Sequence, residues 1–422
     1  MKKLVTLLLV CSMFAGTIHA GGFQLNEQGA RAMALAGAFT GLASDPSAIY
    51  FNPAGITQLK GTQFYAGATM IMPLAKFTGP KPSKVETEMI SQIFNPINLY
   101  VTQEITDKLS AGISVNNQYG LGTKWDKNWV GRELAVDTEI ITFFITPVVA
   151  YEVTEDLSVS VGGIFALGDV TIQRMARNPV TNQANVDVMM EGDGTGYGFT
   201  AGLLYKLSEK FQLGLSYRSE VAFDFKGTVE STPATFSFNH PLAGPMTIKF
   251  PTGNITAPLS TPQNITLGLA YMADERTTVT ADFQYVGWSS YDKLAVTFEN
   301  YNPASPTFTG TSVTSADRKY ENTFIVRAGL EYKLTDNFFL RGGLLYDNNP
   351  VLDDYVEPTL PDADRVGLNV GFGGKFTEHL GIDFAYMYLS FAERTVGNSK
   401  FGFNGAYQNS AHLLALNFSY SL

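Results

Sequence analysis

The sequence predicts an all-β protein: a 14-stranded antiparallel transmembrane β-barrel that holds its N-terminal segment as a plug inside the lumen. Three observations predict it. A short turn of nearly constant make-up recurs, as "EITDKL" from Glu104, "EVTEDL" from Glu152, "KLSEKF" from Lys206, "YMADERT" from Tyr271, "KLTDNF" within the stretch that opens at Glu331, and "KFTEHL" from Lys375. Between these turns, apolar and polar residues alternate with the period of a strand. Finally, the chain is 45% hydrophobic with 30 Phe, 20 Tyr and 40 Gly, a mixture that favours strands, and no stretch approaches the ~20 apolar residues of a membrane helix.

The first element is a leader. Residues 1–20, "MKKLVTLLLVCSMFAGTIHA", combine Lys2 and Lys3 with an apolar run too short to span a bilayer and then small residues, the layout of a signal peptide cleaved after Ala20. Cys11 is the one cysteine of the chain and leaves with it, which excludes disulfides and thiolate metal sites from the mature protein. The formal net charge of −10 becomes more acidic still when Lys2 and Lys3 are removed, and that disfavours nucleic acid as a partner.

Residues 21–61 form the second element, rich in Ala and Gly and nearly free of charge in the middle. An exposed tail is polar, so this segment is expected to be buried, and the lumen is the place available. Within it "NPAG" reads as a rigid turn: Pro53 fixes its own φ and pushes Asn52 out of the α region, Ala54 follows, and Gly55 permits a conformation closed to other residues.

The barrel occupies residues 62–422. In "KFQLGLSYRSEVAFDFKG", Phe211, Leu213, Leu215, Tyr217, Val221, Phe223 and Phe225 share one parity, which is read as the lipid face, while Gln212, Ser216, Arg218 and Asp224 hold the other. The turns at Thr106, Thr154, Ser208, Ala273, Thr335 and Thr377 are each separated by enough chain for two long strands and a variable excursion. Tight turns alternating with long loops are the asymmetry of outer-membrane barrels, whose short turns face the periplasm. Six turns join twelve strands and one more at each end completes an even, closable set. The last, "ALNFSYSL", again alternates, with Phe418, Tyr420 and Leu422 on one face.

Five blocks, "GFQLNE" at Gly22, "NPAG" at Asn52, "NQYGL" at Asn117, "YRSEVAFDFKG" at Tyr217 and "LPDADR" at Leu360, resemble in order the signature blocks of FadL-type outer-membrane fatty acid transporters. The resemblance implies a hatch of about forty residues in the lumen, to which Phe23, Asn52, Pro53, Ala54 and Gly55 belong. It also implies passive uptake of hydrophobic molecules and a lateral exit through the wall where an early strand kinks. In the third strand, "KLSAGISVNNQYGLG", Asn116 and Asn117 are poor strand formers and Gly112 and Gly120 loosen the pairing, so the kink is expected there. Arg174 resembles the family's basic residue that meets a carboxylate; a plain ion pair with an acid such as Glu220 is the alternative.

A fatty acid with ~15 methylenes exposes on the order of 12 kcal/mol of apolar surface to water, so an apolar pocket serves it better than a wide aqueous pore. Lumen-parity residues Phe144, Val148, Ile164, Val170 and Ile172 are expected to line that pocket, with Arg174 continuing their face. The stretch from Ser231 to Asn264 is apolar and Pro-rich and is expected at the outer mouth, whereas the excursion Ala176 to Gly194 is short and polar. Ser83 and Glu86 read as a capping box ahead of a short helix presenting Val85, Met89 and Ile93.

The expected partners are therefore a hydrophobic small molecule, a fatty acid or an aromatic hydrocarbon, and outer-membrane lipid, with the chain a monomer that needs no cofactor. An outer-membrane lipase would need a general base, and His240, His379 and His412 fall in separate regions of the mature chain. No metal-ligand spacing is present. A general diffusion porin predicts a wide conducting lumen, which a plug contradicts.

Overall fold

The computed structural model describes residues 21–83, 85–305 and 307–422; the expected leader, residues 1–20, lies outside them. The chain forms a closed antiparallel barrel of fourteen strands. They are β1 (Thr62–Thr78), β2 (Ile97–Thr106), β3 (Leu109–Asn116 and Gly120–Lys124), β4 (Asp137–Thr154), β5 (Leu157–Asn178), β6 (Gln183–Ser208) and β7 (Phe211–Arg218 and Val221–Thr232). The second half holds β8 (Gly253–Thr261 and Asn264–Met272), β9 (Thr277–Val286 and Lys293–Phe298), β10 (Ser312–Asp317 and Thr323–Thr335), β11 (Phe338–Asp347), β12 (Arg365–Lys375), β13 (Leu380–Phe391 and Arg394–Val396) and β14 (Gly405–Ser421). Each strand pairs with the next in sequence, and β14 returns to β1 from Gln63↔Ser421 to Thr78↔Ala406. Closure pairs the first strand with the last, which is the condition for strands in lipid. Among the described residues no helix is long and apolar enough to cross a membrane.

All the anticipated short turns close one rim, and their recurring Thr or Ser has a mechanism. Thr106 Oγ1 accepts from the amides of Lys108 (3.3 Å) and Leu109 (3.1 Å), Thr154 from Asp156, Ser208 from Lys210, Thr335 from Asn337, and Thr377 from His379 and Leu380. A hydroxyl in that position substitutes for a backbone acceptor and fixes the reversal. Ala273 lacks one, and the next residue supplies it: Asp274 Oδ1 takes the amides of Arg276 (2.8 Å) and Thr277 (2.9 Å). The Arg276 amide holds the Asp274 carboxyl below the usual carboxylate range.

Near that rim the alternation runs as expected. On β7, Phe211, Leu213, Leu215 and Tyr217 face outward and Gln212, Ser216 and Arg218 inward. Aromatic pairs mark the outer face at two heights, Phe211 with Tyr271 (4.6 Å between centroids) and, higher, Phe199 with Tyr217 (5.4 Å), the girdles of a barrel in a bilayer.

Above the second girdle the wall turns inside out. An irregular pair, Ser219–Glu220, separates the two segments of β7, so inward Arg218 is followed by inward Val221, Phe223 and Phe225, with Ala222, Asp224 and Lys226 outside. β8 switches in the same way across Pro262–Gln263, with Leu259 inside above and Asn264 inside below. The expectation that Val221, Phe223 and Phe225 face lipid is thus overturned: one extra residue shifts the register of faces, and these rings fill the lumen of the part that rises beyond the bilayer.

Two further expectations are corrected. Among the described residues of 83–93 there is no helix; Glu86–Glu88 instead pairs with Lys76–Thr78, because β1 beyond the end of its pairing with β2 offers a ladder that a marginal helix cannot match. The excursion after Arg174 is not a loop, since β5 and β6 run on to a tight turn between Asn178 and Gln183.

Candidate functional site

Residues 21–61 lie within the cylinder and touch its wall on every side. The segment folds as two short helices, α1 (Ala30–Ala34) and α2 (Ala48–Phe51), and a 3-10 turn, Pro53–Gln58. Its backbone and side chains reach β14 (Ala30 N to Asn417 Oδ1, 2.9 Å), β10 (Arg31 Nε to Glu331 Oε2, 3.0 Å), β9 (Thr40 N to Asp282 Oδ2, 3.0 Å), β6 and β2. The polar lumen face of the lower barrel therefore satisfies a buried segment that has little regular structure of its own. Arg341 of β11 completes a network, 2.6 Å from both Glu331 and Asp383.

Asn52 has extended backbone, as the following proline requires, and its side chain is fully used: Nδ2 donates to Thr40 O (3.1 Å) and to Leu203 O of β6 (2.9 Å), and Oδ1 accepts from Ala54 N (3.2 Å). Gly55 does not adopt a left-handed conformation. It is small because a Cβ there would stand 2.3 Å from Ala43 O.

The third strand is interrupted between Asn116 and Gly120. Asn117 takes Ile97 N (2.8 Å) and donates to Thr142 O (2.6 Å), replacing ladder bonds lost at the break, while Asn116 Nδ2 donates to the Tyr100 hydroxyl (3.2 Å). The exposed backbone edge is then paired from inside. Leu25 N donates to Gln118 O (2.9 Å) and Gly120 N to Phe23 O (3.0 Å). Gly112 stands apart from this break, in regular register with Thr102 and Val148.

Two cavities flank Phe23. The larger, about 460 Å³, is lined by Leu25, Tyr119, Gly120 and Ile325 from the lumen and also by Leu74, Ile141 and Phe143, which face outward. It thus passes beside the broken strand from the interior to the lipid face. The second, about 230 Å³, lies in the upper barrel among Val170, Ile172, Arg174, Phe225, Leu259 and Tyr320. Phe23 sits between them in an aromatic collar, with Trp288 at 4.9 Å, Tyr291 at 5.8 Å and Tyr119 at 6.0 Å.

The candidate pocket residues separate accordingly. Val170, Ile172 and Arg174 line the upper cavity; Phe144 and Ile164 belong to the apolar cluster around Phe23; Val148 packs against the N-terminal segment instead. Glu220 points outward and is not the partner of Arg174. Of the two acids lining the upper cavity, Glu191 is exposed and the buried one is Glu357, from the loop between β11 and β12, whose Oε1 lies 2.5 Å from Arg318 Nη1. Glu357 and Arg318 were missed by sequence reasoning, because nothing local links positions so far apart; the "LPDADR" block beside Glu357 was the nearest signal. His240, His379 and His412 lie in an outer hairpin, a periplasmic turn and the lipid side of β14, and do not meet. Among the described residues no group of metal-ligating side chains is found.

Three likenesses accompany this geometry. A long-chain fatty acid transport protein of Salmonella typhi is 26% identical, over 95% of this chain and 94% of its own. The fold is similar to that of a Pseudomonas aeruginosa FadL homologue (TM-score 0.79, 21% identity, 95% of this chain and 100% of that one). It is also similar to the P. putida toluene transporter TodX (TM-score 0.74, 17% identity, 96% and 99%). The model of the family described as "Outer membrane protein transport protein (OMPP1/FadL/TodX)" matches residues 11–422, and the chain, a β-barrel of the outer membrane, belongs to that family.

Proposed function

We propose that the protein admits hydrophobic molecules passively through the outer membrane, with long-chain fatty acids as its principal cargo. Residues 21–61 act as a hatch. A ligand enters the upper cavity from outside, passes the Phe23 collar as the hatch end shifts, and leaves sideways into lipid beside the break in β3. The single observation that carries this reading is the larger cavity, whose lining draws on both faces of the wall next to Asn117 and Gly120. Its volume of about 460 Å³ is in the range of small-molecule sites. A lateral route keeps the ~15 methylenes of a fatty acid out of bulk water throughout, avoiding a barrier on the order of 12 kcal/mol.

The hatch end is suited to moving. Its hold on β3 consists of the backbone bonds of Phe23 O and Leu25 N and the Gln28 side-chain amide on Asn117 O, and these occupy an edge that lost its usual partner at the break. Arg174, with its Nε buried and unpartnered, supplies a counter-charge for a carboxylate in the upper cavity. Kinship with the Salmonella typhi fatty acid transport protein supports the same cargo.

Monoaromatic hydrocarbons are the second reading, favoured by the collar of Tyr119, Trp288 and Tyr291, against which a small ring stacks well. A deletion strain carrying the wild-type chain or Arg174→Ala, grown on limiting oleate or on toluene, separates them. Fatty acid uptake requires that the wild-type chain restore growth on oleate and that Arg174→Ala weaken it while leaving toluene untouched. Restoration on toluene alone would sink the fatty acid reading.

A further inference from the structure

The upper cavity already contains a carboxylate, and it belongs to the protein. Glu357 projects from the loop between β11 and β12 into the cavity wall beside Arg318 and Arg174. Only 9% of Glu357 and 8% of Arg318 is exposed, so their ion pair is desolvated. It is also imperfect: at 2.5 Å the charges are close, yet Arg318 Nη1 makes no aligned hydrogen bond, and the same Glu357 oxygen is shared with the Thr359 hydroxyl at 2.5 Å. Among the described residues no carboxylate is paired with Arg174, whose Nε is buried without a partner. Buried Arg318, half-buried Arg174 and a single buried acid form a site with room for a better anion.

The loop bearing Glu357 does not stop at that cavity. Glu357 and Thr359 line the upper one, Leu360 lines both, and Pro361 and Asp362 line the larger one. Along the way Pro358 O takes the indole N–H of Trp125 (3.1 Å) and Thr359 O takes the Thr123 hydroxyl (2.9 Å), pinning the strap to the upper half of β3 and its neighbour. At its far end Asp362 Oδ2 accepts from Gly22 N at 2.6 Å, directly before Phe23. A few residues of one strap thus join the anion seat of the outer cavity to the end of the segment that closes the inner one.

We infer that Glu357 is a built-in stand-in for the carboxylate of an anionic amphiphile: an incoming carboxylate takes Arg318 from it, while the strap stays pinned at Pro358 and Thr359. This deepens the fatty acid reading given above and rests on it. It makes Glu357 a specificity-determining residue. A neutral chain of equal length fills the apolar cavity without displacing Glu357; an anionic one does both.

The test uses the full-length mature protein in detergent, with oleate and oleyl alcohol as probes, comparing wild type with Glu357→Gln. Removing the internal competitor is expected to tighten oleate binding roughly tenfold while leaving oleyl alcohol within about twofold. In the wild-type protein oleate, but not oleyl alcohol, is expected to change tryptophan emission, because the Trp125 indole donates to Pro358 O, the residue next to Glu357. Equal oleate affinity in both proteins, an equal gain for both probes, or the same emission change with oleyl alcohol overturns this inference while leaving fatty acid uptake intact. Absence of oleate binding in both proteins overturns the two together.

Discussion

Phe23 and Trp288 meet edge to face with ring centroids 4.9 Å apart, at the level where the two cavities adjoin. Phe23 is 4% exposed, so its ring is held in place by the collar around it. Phe23→Ala removes the ring that divides the cavities and costs the hatch end roughly 3 kcal/mol of docking. Single-channel recordings are expected to show small, frequent openings in the variant where the wild type is silent, with the barrel still heat-resistant on gels.

Asn52 makes three hydrogen bonds, two within the N-terminal segment, with Thr40 and Ala54, and one to the wall at Leu203. In Asn52→Ala the carbonyls of Thr40 and Leu203 lose their side-chain donor and the Ala54 amide its acceptor, at about 1–3 kcal/mol for each group left unsatisfied. Hydrogen exchange across residues 30–60 should accelerate by at least tenfold while the strand amides of β5 and β6 stay protected. Uniform acceleration would place Asn52 in the stability of the whole barrel instead.

Gly214 and Gly268 face each other across β7 and β8, and the backbone of Thr40 and Gly41 runs over them. A Cβ on Gly214 would stand 2.0 Å from Thr40 O, and one on Gly268 would stand 2.4 Å from Gly41 N. Neither backbone atom can swing aside as a side chain would. Gly214→Val is therefore expected to insert as a barrel with its hatch displaced, read out as protease cleavage within residues 30–50 and a conductance far above that of Phe23→Ala.

The inversion of faces makes a pair of opposite predictions on outward positions. Leu267→Arg puts a charge on the lipid face below the upper girdle and is expected to cost about 2–4 kcal/mol in refolding into vesicles. Thr228→Arg, outward on β7 above the Ser219–Glu220 break, should change refolding by less than about 0.5 kcal/mol. Similar penalties at both positions would place Thr228 in the bilayer.

What was legible in the sequence was what local chemistry decides. A hydroxyl or carboxylate that caps its own turn gives the same signature wherever it occurs, so Thr106 through Thr377 counted the strands correctly. The burial of residues 21–61 followed from their lack of charge. The break at Asn116 and Asn117 was visible because two amides that make poor strand formers stood together. The inversion was hidden, because the apolar parity continues unbroken through Ser219 and Glu220 and only the extra residue in three dimensions turns it inward. Glu357 and Arg318 were hidden for a different reason: an ion pair between two loop-side residues depends on closure of the cylinder, which no window of sequence contains. The capping box at Ser83 was a true local preference that lost to β1 beyond the end of its pairing with β2.

The switch at Ser219–Glu220 and at Pro262–Gln263 also fixes how deep the protein sits. Because the greasy exterior ends at those breaks, the upper stretches of β5 to β8 resemble a water-soluble cup with a dry interior mounted on a membrane ring. Adding or removing residue pairs in the cup would alter how far its mouth stands from the cell surface, and what it can catch there, without altering the thickness of bilayer that the ring fits.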